Sequence, residues 1–196
     1  DYIVCEPVGR LIRRAKVNKV NGKNVLSNVY PGEEFIASAD MNFRPVNSAT
    51  GPDGALYICD MYRGIIQEGS WVRKGSYLRP VVEKYKLQNN IRRGRIYRVV
   101  HESYKKVKKP RMYEENTAEL VKHLFHKNGW WRMTAQKEII LRQDKSIMLE
   151  LKKVAVSGKG IGRVHAIWAL EGLGAANVDF ALSILRDDDS RVRETA

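Results

Sequence analysis

Cysteine is scarce in this chain: Cys5 and Cys59 are the only two among 196 residues. They stand in no C-x-x-C or C-x-x-C-H arrangement, which excludes a zinc knuckle and a covalent haem site within this stretch. Both fall in apolar, strand-like runs, so two buried free thiols are expected; a disulfide would require adjacent strands. No apolar run is long enough to cross a bilayer. Neither an initiator Met nor a signal peptide opens the chain. It begins on Asp1-Tyr2-Ile3-Val4-Cys5, a strand already under way, and stops at Arg193-Glu194-Thr195-Ala196, within a helical pattern. We therefore expect an internal piece of a longer protein. Gly-rich phosphate loops, G-x-S-x-G elbows and Cys/His nucleophile pairs are missing too. Proline is absent from residues 117–196, and that absence divides the chain into two kinds of sequence.

What is present points to a folded protein. Hydrophobic residues make up 43% and charged residues 29%, a balance that argues against extended disorder. The formal charge is +13, unevenly spread: residues 1–110 hold 21 Lys and Arg against 10 Asp and Glu. A basic half can serve an anionic partner. Here the charges are scattered singly over strand-like segments, as at Arg10, Arg13, Arg14, Arg92, Arg93, Arg95 and Arg98, which reads as solvated strand faces. The one true cluster, Lys105 to Lys109, precedes Pro110 where a linker is expected. No nucleic-acid reader motif accompanies the charge, so nucleic-acid binding is not expected.

Residues 1–104 read as β. The segments "DYIVCEP", "GRLIRRAKV", "EEFIASAD", "GALYICDMY" and "GRIYRVV" are short, rich in Val, Ile and Tyr, and punctuated by Gly, Pro and Asn. Two share a local form, Gly9-Arg10-Leu11-Ile12-Arg13 and Gly94-Arg95-Ile96-Tyr97-Arg98. A recurring strand with others between suggests repeated antiparallel sheets such as propeller blades, with other all-β arrangements open. Residues 64–93 read as an extended insertion with one helical turn. Residues 105–116 form a basic, Pro-containing linker.

Residues 117–196 follow a helical period. Thr117 with Leu120 suits a helix start, and "WWRMTAQKEIILRQ", "SIMLELKKVAV", "GRVHAIWALEGL", "VDFALSILRDD" and "SRVRETA" follow. Arg132, Arg163 and Arg193 are each trailed three residues later by Ala135, Ala166 and Ala196. A period near 30 with two helices per unit is the pattern of an α-solenoid, and this Arg-x-x-Ala resembles HEAT repeats. Ala allows close helix approach, and Arg can bond the acidic turn of a neighbouring repeat, such as Asp187 to Ser190. The predicted architecture is thus two-part, a partial β-propeller of one to two blades followed by HEAT-like helices.

The densest candidate segment runs from Phe43 to Ile66. Gly51-Pro52-Asp53-Gly54 is a tight turn whose residues need no functional explanation. Asp60, Tyr62 and Arg63 follow a strong strand and should emerge at one end of a sheet, where sites are built. Asp60 and Arg63 can pair with each other, or act as carboxylate and anion-binding guanidinium. Arg44 and Asn47 precede the turn and can face the same mouth. His123 and His126, three residues apart on a helix, lack an evident third ligand, and no metal site is expected. Trp130 and Trp131 read as packing between repeats, and His165 as a packing or surface residue.

At these segments the chain closely resembles the membrane-bound dehydrogenase family of planctomycetes and verrucomicrobia. The strings are "CEPVGRLIRR", "YPGEEFIASAD", "FRPVNSATGPDGALYICDMYRGII" and "RGRIYRVV", followed by the helical repeats. Members of that family look like glucose/sorbosone dehydrogenase-type β-propellers joined to HEAT repeats and a c-type cytochrome domain. The resemblance implies an exported, periplasmic or cell-surface oxidoreductase that oxidises a sugar or alcohol and passes electrons to haem c. It further implies pyrroloquinoline quinone with calcium at the propeller mouth of the parent, with none of these cofactors held by this piece alone. Partners would be the remaining blades and the cytochrome domain of the same chain. Arg44, Asn47, Asp60 and Arg63 are the expected cofactor-binding contributions; no catalytic base is expected here, and the piece alone should be inactive. The alternative is a non-catalytic propeller/HEAT scaffold that binds polysaccharide or protein.

Overall fold

A computed structural model of the chain describes residues 1–66 and 69–196. It divides into two compact units, one of Asp1–Gly51 with Ala55–Tyr104, the other of Pro52–Gly54 with Lys105–Ala196. The first is built of antiparallel sheets, the second of helices.

In the first unit, one sheet has the order β1 (Tyr2–Glu6), β2 (Leu11–Val20), β3 (Lys23–Asn28), with the two-residue β4 (Ile36–Ala37) also pairing with β2. The other has the order β5 (Pro45–Thr50), β6 (Leu56–Asp60), β7 (Arg95–Val99). Ile12 of β2, Phe43 and Ile58 of β6 form the buried centre, with Ile3, Cys5, Phe35, Ile36, Leu56 and Val99 packed round it. Each sheet therefore turns an apolar face inward, which is what fixes its register. Of the scattered arginines, Arg10 carries a buried Nε without a hydrogen-bond partner, and Arg14 is half-buried and pairs with Asp1. Arg13, Arg92, Arg93, Arg95 and Arg98 do lie towards solvent, with Arg13 paired to Glu34. Such exposed pairs contribute little to stability.

Several expectations change. The "EEFIASAD" strand shrinks to two residues, since only Leu11 and Ile12 offer it a partner. The two thiols are free, but Cys5 is only half-buried and Cys59 is exposed. Cys59 pairs with Asn47 and Ile96 across its neighbours, on the opposite face of β6 from buried Ile58. The insertion holds more order than one turn: a 3-10 turn at Gly69–Trp71, α1 (Arg79–Lys84) and a second 3-10 turn at Leu87–Asn89. Its residues 67 and 68 lie outside the described residues. Val72, Val82 and Leu87 form its own small core. Gly64 lets that core close, because a Cβ there would meet the Leu87 carbonyl oxygen at 2.6 Å.

The second unit contains α2 (Thr117–His123), α3 (Gly129–Arg142), α4 (Met148–Ser157), α5 (Gly162–Gly172), α6 (Val178–Ile184) and α7 (Ser190–Thr195). The first of these begins at Thr117, as its sequence suggests. Asn116 is the N-cap, and with Glu119 it forms a reciprocal capping box. Leu120, Leu124, Ile139, Leu151, Leu170 and Val192 are fully buried at the centre. Ala135, Ala155, Ala166 and Ala169 are fully buried as well, so helices approach closely at those positions. Gly162 marks the tightest approach: a Cβ there would stand 2.5 Å from the Phe125 ring.

The three periodic arginines have equivalent roles. Arg132 donates to the carbonyls of His126 and Lys127 at 2.6 and 2.9 Å. Arg193 donates to those of Asp187 and Asp188 at 2.6 and 3.0 Å, the same distance back along the chain. Arg163 donates to Ala155 and Val156 and pairs with Asp187. Each guanidinium thus satisfies carbonyls left open where the preceding helix ends. Of the three, Arg163 is the one that also pairs with a carboxylate, that of Asp187 in the acidic turn ahead of α7.

Candidate functional site

Period two along β6 places Leu56, Ile58 and Asp60 on one face and Tyr57 and Cys59 on the other. The first two lie in the apolar core. Asp60, one step further at the strand end, is therefore drawn inward and is only 2% exposed. The end of a strong strand suggested an open mouth; the register instead carries the carboxylate to the core face. Asp60 Oδ1 accepts from the backbone N–H of Arg44 and of Tyr62, both at 2.7 Å. Asp60 Oδ2 is buried without a hydrogen-bond partner.

These bonds set the chain beyond the strand. Tyr62 has φ 43°, a left-handed conformation that is unfavourable for a bulky side chain. The bond to Asp60 Oδ1 holds its N–H, and Asn90 Nδ2 donates to its carbonyl at 2.7 Å. The Tyr62 phenol interacts with the Asp40 carboxylate. Arg95 at the start of β7 pairs with Asp60 in register, so the two share a face. Its guanidinium lies over the Tyr62 ring, 3.3 Å from the centroid. Asn42 completes the group: its N–H and its amide donate to Asp40 Oδ1, and its own Oδ1 accepts from Asn90 at 3.0 Å. Asp40, Asn42, Asp60, Tyr62, Asn90 and Arg95 thus converge from four separate parts of the first unit.

The protonation pattern follows from those contacts. Burial works to raise the Asp40 carboxyl, yet hydrogen bonds from Asn42 and Tyr62, with the charge of Arg95, bring it below its ordinary value. The Tyr62 phenol is raised, first by its bond to that carboxylate. Burial disfavours the Arg95 charge, but its bond to Tyr97 and the nearby Tyr62 and Asp60 raise it overall. At neutral pH the cluster presents an anion, a phenol donor and a fixed cation side by side.

The four residues singled out in the sequence occupy different places. Arg44 and Asp60 meet, through the Arg44 backbone. The Arg44 side chain is a staple: Nε donates to the Arg63 carbonyl, Nη1 to Pro7 and Val8, and Nη2 to Gly64, at 2.8–3.2 Å. Burial, then repulsion from Arg10, lowers its pKa. Arg63 joins this arrangement through its carbonyl. Asp60 spends Oδ1 on backbone N–H groups rather than on the Arg63 guanidinium. Asn47 pairs with Cys59, so it faces the other side of the sheet from Asp60. Asp40, Asn42 and Asn90 went unnoticed in the sequence because they stand 18 to 30 positions from Asp60. Tyr62, Met61 and Asp60 together carried the one available signal, an Asp whose side chain can bond the N–H two residues on.

In the helical unit, His123 Nε2 bonds Glu115 Oε2 at 2.6 Å and its ring packs on Trp131, which stacks on His126. His165 accepts at Nε2 from Arg132 Nε, 3.2 Å, which puts its proton on Nδ1 beside Gln136 Oε1. Among the described residues no three His, Cys, Asp or Glu side chains converge as metal ligands would, and the cysteines lack the haem-attachment spacing. The residues present do not fit haem c, and by themselves they do not fit a calcium–quinone site. No described helix is long and apolar enough to cross a membrane.

No curated protein and no solved structure matches the chain. A family model does: residues 1–103, just over half of the 196, match the family described as Domain of unknown function (DUF7133), and the chain belongs to that family.

Proposed function

We propose that residues 1–104 are the closing portion of a β-propeller, that residues 117–196 are HEAT-like repeats, and that both belong to an exported, sugar-oxidising protein. In that protein this chain supplies substrate binding rather than the redox centre. The resemblance in sequence and the recurring arginine bonds of the helical unit support the architecture. The binding role rests on one observation: the strained Tyr62 turn gathers a carboxylate, a phenol, two amides and a guanidinium on one surface. These are the donor and acceptor types that neighbouring sugar hydroxyls require. Residues 1–100 contain no histidine, so a base for alcohol oxidation comes from elsewhere in the parent. That lack favours a second reading, a non-catalytic scaffold that binds polysaccharide.

The test is titration of the 196-residue chain with neutral monosaccharides and polyols, followed by NMR. Shifts at Tyr62, Asn90 and Arg95 that Tyr62→Ala abolishes are expected; the absence of binding by every sugar would overturn the proposal. With artificial electron acceptors the chain alone is expected to oxidise none of them. Turnover would refute the assignment of binding alone and reject the scaffold reading as well.

A further inference from the structure

The sugar surface has a bias in charge that neutral hydroxyls do not need. Arg95 heads an exposed edge strand, and Arg92 and Arg93 stand just before it, also exposed. Arg63 follows Tyr62 directly. Against these four cations stand two carboxylates, and neither is available to a ligand in the ordinary way. Asp60 is buried and bonded to backbone. Asp40 is occupied by Asn42 and the Tyr62 phenol.

Arg95 is the preorganised member. A guanidinium has five N–H donors in a planar fork and is weakly hydrated, so it stacks on aromatic rings while its edge remains able to donate. At 3.3 Å from the Tyr62 centroid the stack is at contact distance. The backbone beneath the Tyr62 ring is pinned by Asp60 and Asn90. Tyr97 engages the Arg95 side chain from the same strand face. The fork is thus held in place before any ligand arrives, which reduces the ordering cost of binding. A planar fork of this kind matches a planar carboxylate through two parallel hydrogen bonds.

We propose that Arg95, positioned by Tyr62, is a carboxylate-recognition site, and that the ligand class of this surface is the uronic acids, sugars carrying a carboxylate. The inference rests on the sugar-binding reading above and narrows it. Asn42 and Asn90 serve the hydroxyls while Arg95 takes the acid group.

Isothermal titration of the 196-residue chain with galacturonate, galactose, acetate and inorganic sulfate separates the outcomes. Galacturonate is expected to bind at least about tenfold more tightly than galactose, acetate or sulfate. Arg95→Gln should erase the preference over galactose, and Arg95→Lys should lose most of it, because an ammonium keeps the charge without the fork. Tyr62→Phe keeps the ring beneath the guanidinium and should keep the preference, provided that its backbone NMR spectrum remains native. Equal affinity for galacturonate and galactose would overturn the carboxylate site and leave sugar binding standing. Sulfate or acetate as tight as galacturonate would overturn the sugar-acid assignment. No binding by either sugar would remove both readings.

Discussion

Asp60 shows how much one side chain organises. Its Oδ1 fixes two backbone N–H groups in a site closed to water, and hydrogen bonds to a charged acceptor contribute about 1.5–3 kcal/mol each. Asp60→Ala leaves both N–H groups buried and unpaired, and should destabilise the chain by about 3 kcal/mol in urea unfolding. Asp60→Asn keeps an acceptor at the Oδ1 position and should cost less than half as much. Equal losses from the two variants would show that the charge, rather than the two bonds, holds the turn. The Ala variant should also release Tyr62 from its left-handed backbone, because a conformation costing about 1–3 kcal/mol persists only where the surroundings impose it.

At the scale of elements, legibility followed burial. β2, β6 and β7 could be read because Ile12, Ile58 and Val99 serve a core and leave an apolar pattern. β3 could not: all six of its residues are exposed, so no face is marked. β5 is half polar and interrupted by a bulge between Pro45 and Asn47, and its strand is fixed by the ladder to β6 rather than by its own residues. The helices were legible almost throughout because nearly every turn carries a core residue. Their caps were less so: Asn116 caps α2 in a capping box with Glu119, which the helical period does not mark. The site was half legible. Asp60 announced itself at a strand end, whereas the Arg44 staple and the Asp40–Tyr62–Arg95 group depend on contacts that only the folded register creates.

The helical elements also carry a pH dependence with a definite sign. Burial, then the charge of Arg132, depresses His165 below its ordinary 6.5. The folded unit therefore binds fewer protons at this site than the unfolded chain, so the contribution is complete above 6.5 and is lost as pH falls through the depressed value. Asp187 is held below its ordinary 3.8, first by Arg163. Its contribution is present above 3.8 and is lost as pH falls through its lower folded value. Thermal unfolding of the helical signal should thus lose stability in two acid windows. His165→Gln should flatten the upper window alone, and Asp187→Asn should shrink the lower one, which the depressed Asp144 and Asp189 share; an upper window unchanged in His165→Gln would exclude His165 as its source.

For the whole molecule, two features oppose each other. A formal charge of +13 keeps copies apart. Against this, β3 pairs only with β2 among the described residues and presents Val25 and Leu26 to solvent, 45% and 56% exposed. An edge strand of that kind is a template for pairing with another chain. Charge repulsion acts over roughly 10 Å at 0.1 M salt but only about 3 Å at 1 M, whereas strand pairing is made at contact. Raising the salt should therefore promote self-association instead of dispersing it. Sedimentation velocity should show a monomer at low ionic strength and larger species in 1 M sodium chloride, with Val25→Lys restoring the monomer. A monomer at both salts would show that Lys23, the first residue of β3, already protects its edge. Association that survives Val25→Lys would shift its origin to the exposed apolar residues of the helical unit, with Leu149, 81% exposed, the first to replace.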